Sequence, residues 1–266
     1  MTGIDILKDA LVFLFVYMPP LLLFWRFWKE RDRSYILLIL ISIIYIILSL
    51  ITQNLIPFIF VLLNIRYIRL SGCISNFSRN NQALQYGISY SGDSISNRIA
   101  GDYDRYNFSL KKFNIIYAII FVFISYIIII LMSIVETSVI TKFNIQVQQQ
   151  EIVTIMTDMP LKAFLLVIPV VTIFAPVLEE FVFRWLLFER IFKPRIGVYL
   201  SAILSSITFA FVHFNLRAFP VLLFIGLYNC YLIHKKGYWY SVFNHFTFNS
   251  ITTLALLLEK LGIVKF

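Results

Sequence analysis

Residues 164–192 read FLLVIPVVTIFAPVLEEFVFRWLLFERIF. The run Phe164–Ile173, with its neighbours, is apolar for long enough to lie inside a bilayer. It leads directly into two adjacent carboxylates, Glu179 and Glu180. An acidic residue near the middle of a membrane helix costs about 2.5–3.5 kcal/mol to insert, so the pair costs about 5–7 kcal/mol before compensation. Spacing supplies part of that compensation. Glu180 and Arg184 stand four apart and share a helix face, where they can pair. Glu179 is turned by about 100° from Glu180 and has Phe183, not a base, four residues on. Pro176 withholds a backbone donor just before the pair, which frees carbonyls and can bend the helix. A structural ion pair between helices would account for Glu180 and Arg184 but leaves Glu179 unexplained.

The rest of the chain supports a membrane setting. Its 266 residues are 60% hydrophobic and only 14% charged, with a mean hydropathy of +0.83, against about 25% charged in ordinary soluble domains. Repeated apolar runs near span length indicate an all-α, polytopic bundle of about eight transmembrane helices, because only helices or closed barrels satisfy their backbone in lipid. A barrel needs short alternating segments, and Ile36–Ile51 is apolar almost without a break. The net charge of +9 comes from Lys and Arg gathered at helix ends. That is an orientation signal and an attraction to anionic lipid, not a nucleic-acid footprint. Cys73 and Cys230 lie in a polar segment and an apolar helix, which suggests neither a disulfide framework nor a thiolate metal site.

The expected spans are 6–28, kinked at Pro19 and Pro20, 35–52, 55–70, 113–135, 161–192, 198–214, 219–234 and 238–258. Residues 55–70 are short, and a re-entrant hairpin is the alternative there. Four units follow: N-terminal membrane helices at 1–70, a polar and solvated cytoplasmic loop at 71–112, a helix with an outer loop at 113–160, and a catalytic bundle at 161–266. Bases concentrate near 29–33, 71–112, 190–195 and 235–236, which places those loops in the cytoplasm. Lys260 and Lys265 on the outer side run against this orientation.

Two of the three histidines fall inside expected spans. His213 alone reads as a hydrogen-bonded helix contact. The last span changes its context: Tyr238, Ser241, His245, Asn249 and Thr252 recur at steps of three and four and form one polar stripe. In lipid such a stripe faces the bundle interior or a wet cavity. His234, beside Lys235 and Lys236, reads as an ordinary interfacial residue. Tyr228 and Asn229 read as helix-to-helix hydrogen bonders. Together these groups permit amide hydrolysis. A desolvated carboxylate can serve as general base for water, an imidazole can hold that water, and donors from His245 and Asn249 can stabilise an oxyanion. Alternatively, His213, His245 and Glu179 could bind zinc with water as fourth ligand. The sequence permits zinc or no metal. By helical rise, Glu179 lies about 21 Å from the cytoplasmic end, His213 about 27 Å and His245 about 14 Å. Tilt and the bend at Pro176 must bring them level.

Glu179-Glu180-x-x-x-Arg184, Phe209-x-x-x-His213 and His245-x-x-x-Asn249, in this order on three helices, resemble the three motifs of the CPBP intramembrane proteases. That family includes CAAX-processing endopeptidases and bacteriocin-processing and self-immunity proteins. Ala175-Pro176 before the acidic pair, Phe183 and Gly226-Leu227-Tyr228 add to the likeness, which covers about 161–258. The resemblance implies that Glu179 activates water with His213, that Glu180 and Arg184 shape and charge-balance the site, and that His245 and Asn249 bind the oxyanion. Both metal-dependent and metal-free glutamate mechanisms are argued for the family. Trp185 departs from the pattern, because a small residue often follows the arginine. The expected protein is therefore an intramembrane endopeptidase acting on a small membrane-associated peptide or protein. Its partners are that substrate and the bilayer, with no nucleic acid. The Ile-, Asn- and Lys-rich composition suits the plasma membrane of a bacterium. Two rivals are a catalytically silent immunity or scaffold protein that binds a membrane peptide, and a transporter.

Overall fold

The computed structural model describes residues 3–29, 34–82, 101–144 and 151–264. Among these, the regular elements are helices: α1 (Asp5–Lys29), α2 (Tyr35–Thr52), α3 (Leu55–Gln82), the single turn α4 (Asp102–Arg105), α5 (Ile115–Phe143), α6 (Glu151–Asp158), α7 (Leu161–Ile196), α8 (Val198–Phe211), α9 (Phe219–Lys235) and α10 (Tyr238–Lys260). The chain is a multi-pass helical bundle. By length and apolarity α1, α2, α5 and α7 are each able to cross a membrane, while α8 and α9 are shorter apolar helices. α2 and α5 leave much of their Ile and Leu surface exposed, Ile36 and Ile116 among them. Water would penalise that pattern and lipid does not.

α7 is the axis of the bundle. Val177, Leu178, Phe181, Val182, Phe183, Trp185 and Phe188 are buried and form one core with Val16, Leu23, Val61, Phe209, Leu222 and Tyr238 from the surrounding helices. α8 and α9 cross closely at Gly226 and Ser206. A Cβ on Gly226 would stand 2.7 Å from Cβ of Ser206, so only glycine lets these helices meet. Ser205 then donates to the Phe183 carbonyl at 2.6 Å and ties α8 to α7. In α1 the prolines at 19 and 20 withhold two donors, and the winding widens to π type over Phe13–Tyr17. Tyr45 donates to the Tyr17 carbonyl at 2.5 Å and Asn64 to the Pro20 carbonyl at 2.9 Å, which fasten α2 and α3 to that irregular stretch.

Two segments differ from the sequence expectation. The helix that begins at Leu55 does not stop at residue 70 but continues to Gln82. The polar stretch 71–112 is therefore not one solvated loop, although its part at 83–100 lies outside the described residues. Residues 101–112 are packed under the bundle, with Asp102, Tyr106 and Phe108 all at most 3% exposed. Their backbone explains why. The Tyr106 carbonyl accepts from Tyr238 N at 2.7 Å, Phe108 O accepts from the Trp239 indole at 2.9 Å, and Asn107 Nδ2 donates to Lys236 O at 3.2 Å. Gly237, at φ 115°, makes this approach possible, since a Cβ there would lie 2.8 Å from Tyr106 O. Dense polarity in the sequence concealed two aromatic anchors, Tyr106 and Phe108.

Candidate active site

The site begins with a widened turn in α7. Hydrogen bonds reach five residues back around Val170–Phe174, as when Ala175 N bonds Val170 O. In that winding Pro176 leaves the Val171 carbonyl without its helical donor. Asn249 Nδ2 donates to that carbonyl at 2.9 Å and brings the middle of α10 against α7 just before the carboxylates.

Glu180 and Arg184 face inward and are fully buried, with Glu180 Oε2 3.3 Å from Arg184 Nε. They meet as charges rather than as an aligned hydrogen bond. The guanidinium also lies over the Phe209 ring, 3.9 Å from its centroid, a desolvated cation–π contact. Glu180 Oε1 accepts from Asn229 Nδ2 at 3.0 Å and from His245 Nδ1 at 2.8 Å. Asn244 Nδ2 in turn donates to Asn229 Oδ1 at 2.9 Å. One carboxylate thus joins α7, α9 and α10, and its charge is met by a cation and two donors, the condition under which a buried charge is tolerable.

That arrangement fixes His245. A carboxylate can only accept, so Nδ1 carries its proton toward Glu180 and Nε2 is the nitrogen left for other work. Nε2 lies 3.8 Å from Glu179 Oε2, too far for a direct hydrogen bond. Glu179 is the less buried carboxylate, and its Oε2 has no hydrogen-bond partner among the described residues. His213 sits just beyond the end of α8, in the turn before Phe214, whose φ of 48° is left-handed for a bulky residue. His213 Nδ1 faces the Phe209 carbonyl at 2.8 Å. Because the carbonyl accepts, Nδ1 is the donor and Nε2 is left with a lone pair in the neutral ring. The Phe209 ring meets both imidazoles edge-on, at centroid distances of 4.8 Å to His213 and 5.6 Å to His245.

Glu179, His213, His245 and Asn249 line one cavity of about 630 Å³. Glu180 and Arg184 stand behind its wall. The six residues singled out in the sequence therefore divide into four on the surface of one hollow and two that brace it. The same cavity is lined by Ile129, Val171, Leu222 and Phe248 and carries Glu136 and Arg217 among its charged lining. Its border takes in the turn at 51–54, residues of α6 and the turn before α9, all at helix ends opposite the basic loops. The three-residue set considered for zinc does not fit a metal site. Among the described residues, no three His, Cys, Asp or Glu side chains are grouped as ligands would be.

Other polar groups fall elsewhere. Tyr238 bonds the Val177 carbonyl, and Ser241 and Thr252 bond carbonyls of α10 itself, so three of the five stripe residues spend their hydroxyls on the backbone, although Thr252 also lines the cavity. Asn229 does bond helix to helix, yet it does so through Glu180. Its position in an apolar helix gave no hint of which partner it meets. Tyr228 donates to the Phe121 carbonyl. His234 is not merely interfacial. Its Nδ1 lies 2.7 Å from Glu189 Oε1 and 3.0 Å from Lys193 Nζ. Buried Glu189 also takes Lys193 at 2.6 Å and the Tyr106 hydroxyl at 2.9 Å, and this second cluster fastens residues 101–112 to α7. Trp185 belongs with it. Its indole donates to Asp102 Oδ2 at 3.1 Å, where Arg190 Nε also pairs at 3.1 Å. Trp185 thus packs against residues 101–112 and does not line the cavity. Burial pushes the Asp102 carboxyl up to about 6, against the opposing pull of Arg190 and the Trp185 indole.

Residues 161–251, about a third of the chain, match the family model described as type II CAAX prenyl endopeptidase Rce1-like. No curated protein and no solved structure matches the chain. The matched segment contains all six residues above.

Proposed function

We propose that this Rce1-like chain is an endopeptidase that hydrolyses a peptide bond of a small membrane-associated peptide within the cavity bounded by α7, α10 and the turn between α8 and α9. The observation that carries the reading is the convergence of Glu179, His213 and His245 on one hollow, with His245 oriented by a buried carboxylate. Glu179 takes a proton from a water that His213 Nε2 helps to hold. The water oxygen bonds to the substrate carbonyl carbon, and the carbonyl electron pair moves to its oxygen. The imidazolium form of His245, through Nε2–H, and the second amide proton of Asn249 donate to that oxyanion. The carbon–nitrogen bond then breaks, and the leaving nitrogen takes the proton from Glu179. General base catalysis of this kind is worth about 10²–10⁴ in rate, and each oxyanion donor about 2.7–4 kcal/mol.

The aliphatic lining suits an apolar peptide segment. The cavity borders the helix ends away from the basic loops, which under the positive-inside rule is the outer face of the membrane. In a bacterial plasma membrane, a pheromone precursor or bacteriocin leader is a fitting substrate class. Peptides from membranes of cells carrying wild-type or Glu179→Ala protein test the reading. An uncleaved precursor should accumulate in the variant and disappear on adding purified wild-type enzyme. Unchanged peptides together with an unchanged cellular phenotype would instead identify a silent binding protein.

A further inference from the structure

A second hollow, of about 460 Å³, runs between α1 and α7, lined by residues 182–195 of α7 where the catalytic cavity is lined by 167–179. Its length is walled by apolar side chains, among them Leu14, Leu22, Val182 and Leu186, and it also carries three arginines, Arg26, Arg190 and Arg195. From Leu14 to Arg26 along α1, and from Val182 to Arg195 along α7, is roughly 18–20 Å at helical rise. Both helices run toward the basic end of the bundle, so the arginines gather at one end of the groove. The apolar length is of the order of one bilayer leaflet, whose hydrocarbon is about 15 Å deep. The cationic end therefore falls at headgroup depth when the apolar part lies among acyl chains. Two of the three guanidiniums are positioned in advance: Arg190 Nε pairs with Asp102, and Arg195 Nη1 donates to the Ile191 carbonyl. Among the described residues, no acidic side chain lines the groove itself.

We propose that this groove is a binding site for an anionic glycerophospholipid, with its phosphodiester among Arg26, Arg190 and Arg195 and one acyl chain laid between α1 and α7. Guanidinium groups match phosphate oxygens in charge and geometry. An intramembrane groove with a basic cytoplasmic end is the setting in which such headgroups are held. A free phosphate would use the arginines but leave the apolar length uncovered, so the lipid is the occupant that fits the whole surface. The site is independent of the catalytic reading, because the two hollows share no lining residue.

Native mass spectrometry of the purified full chain, titrated with phosphatidylglycerol, phosphatidylcholine or inorganic phosphate, tests this. One tightly held phosphatidylglycerol is expected, with phosphatidylcholine held at least tenfold more weakly. The pair R26Q/R195Q should weaken phosphatidylglycerol about thirty-fold, about fivefold per arginine, while R26K/R195K keeps most of the binding. Leu186→Trp, which fills the groove and leaves the arginines in place, should also displace the lipid, and thermal unfolding checks that each variant is folded. Equal retention of the two lipids, undiminished phosphatidylglycerol in R26Q/R195Q or in Leu186→Trp, or competition by millimolar phosphate alone would each overturn the assignment.

Discussion

Replacing Glu180 by Gln keeps the side chain's shape and removes its charge. In the wild-type protein the carboxylate faces Arg184 at 3.3 Å with both groups fully buried, and it accepts from His245 and Asn229. Breaking a buried ion pair from one side costs about 3–5 kcal/mol, because the remaining charge is left uncompensated. The amide oxygen of Gln can still accept neutral hydrogen bonds worth about 1 kcal/mol each, so the loss should sit near the lower limit. About 3 kcal/mol corresponds to roughly a hundred-fold shift in the folding equilibrium. Reversible unfolding in mixed micelles reads this directly. Adding Arg184→Met to Glu180→Gln removes the orphaned cation and should restore at least half of the loss, a coupling measurable as a double-mutant cycle. Proteolysis should fall in both variants, because a neutral amide no longer supports a charged His245 beside the oxyanion. A cost below about 1 kcal/mol for Glu180→Gln, or a double variant no more stable than the single one, would refute the bracing role given to Glu180.

Other expectations follow from the packing. Gly226→Ala sets a methyl 2.7 Å from Ser206 Cβ and 3.0 Å from its Cα, and should cost about 1–3 kcal/mol, read as a lower Tm that Ser206→Gly partly restores. Asp102 has its carboxyl raised from 3.8 to about 6, so the folded form holds this proton more tightly than the unfolded chain does. The docking of residues 101–112 is then strongest below about pH 4 and weakens as pH rises through 6. Amide exchange at 102–108, corrected for intrinsic rate, should show that slope, and Asp102→Asn should abolish it. In intact cells, with Cys73 and Cys230 replaced, a cysteine at Asn54 on the cavity border should react with an impermeant maleimide. One at Lys111 should react only after permeabilisation, and the reverse pattern would invert the orientation.

Much of the fold was legible because lipid imposes a strong rule on sequence. Segments that bury their backbone in a bilayer must be long, apolar and helical, and each of the eight expected spans falls on a helix, of which α1, α2, α5 and α7 are by length and apolarity able to cross a membrane. The pairing of Glu180 with Arg184 was equally local, since four residues on a helix fix the face. Partners chosen by tertiary packing were not legible. Nothing in the sequence distinguishes Asn229, which reaches Glu180, from Tyr228 beside it, which reaches a backbone carbonyl. Nor could spacing show that Glu180, rather than Glu179, orients His245. The depths estimated for His213 and His245 assumed straight, untilted helices, and the turn that holds His213 begins only at the end of α8. Residues 101–112 were misread for a related reason. Asp102 and its neighbours look solvated until the Trp185 indole and Arg190 supply partners from a segment more than eighty residues away.

The most direct test is the turnover of purified Glu179→Gln on a peptide that the wild-type enzyme cleaves, with thermal unfolding measured alongside. Loss of about 10²–10⁴ in kcat, with an unfolding transition like that of wild type, is the predicted result. Full cleavage by the folded variant would contradict the assignment of Glu179 as the base that activates water.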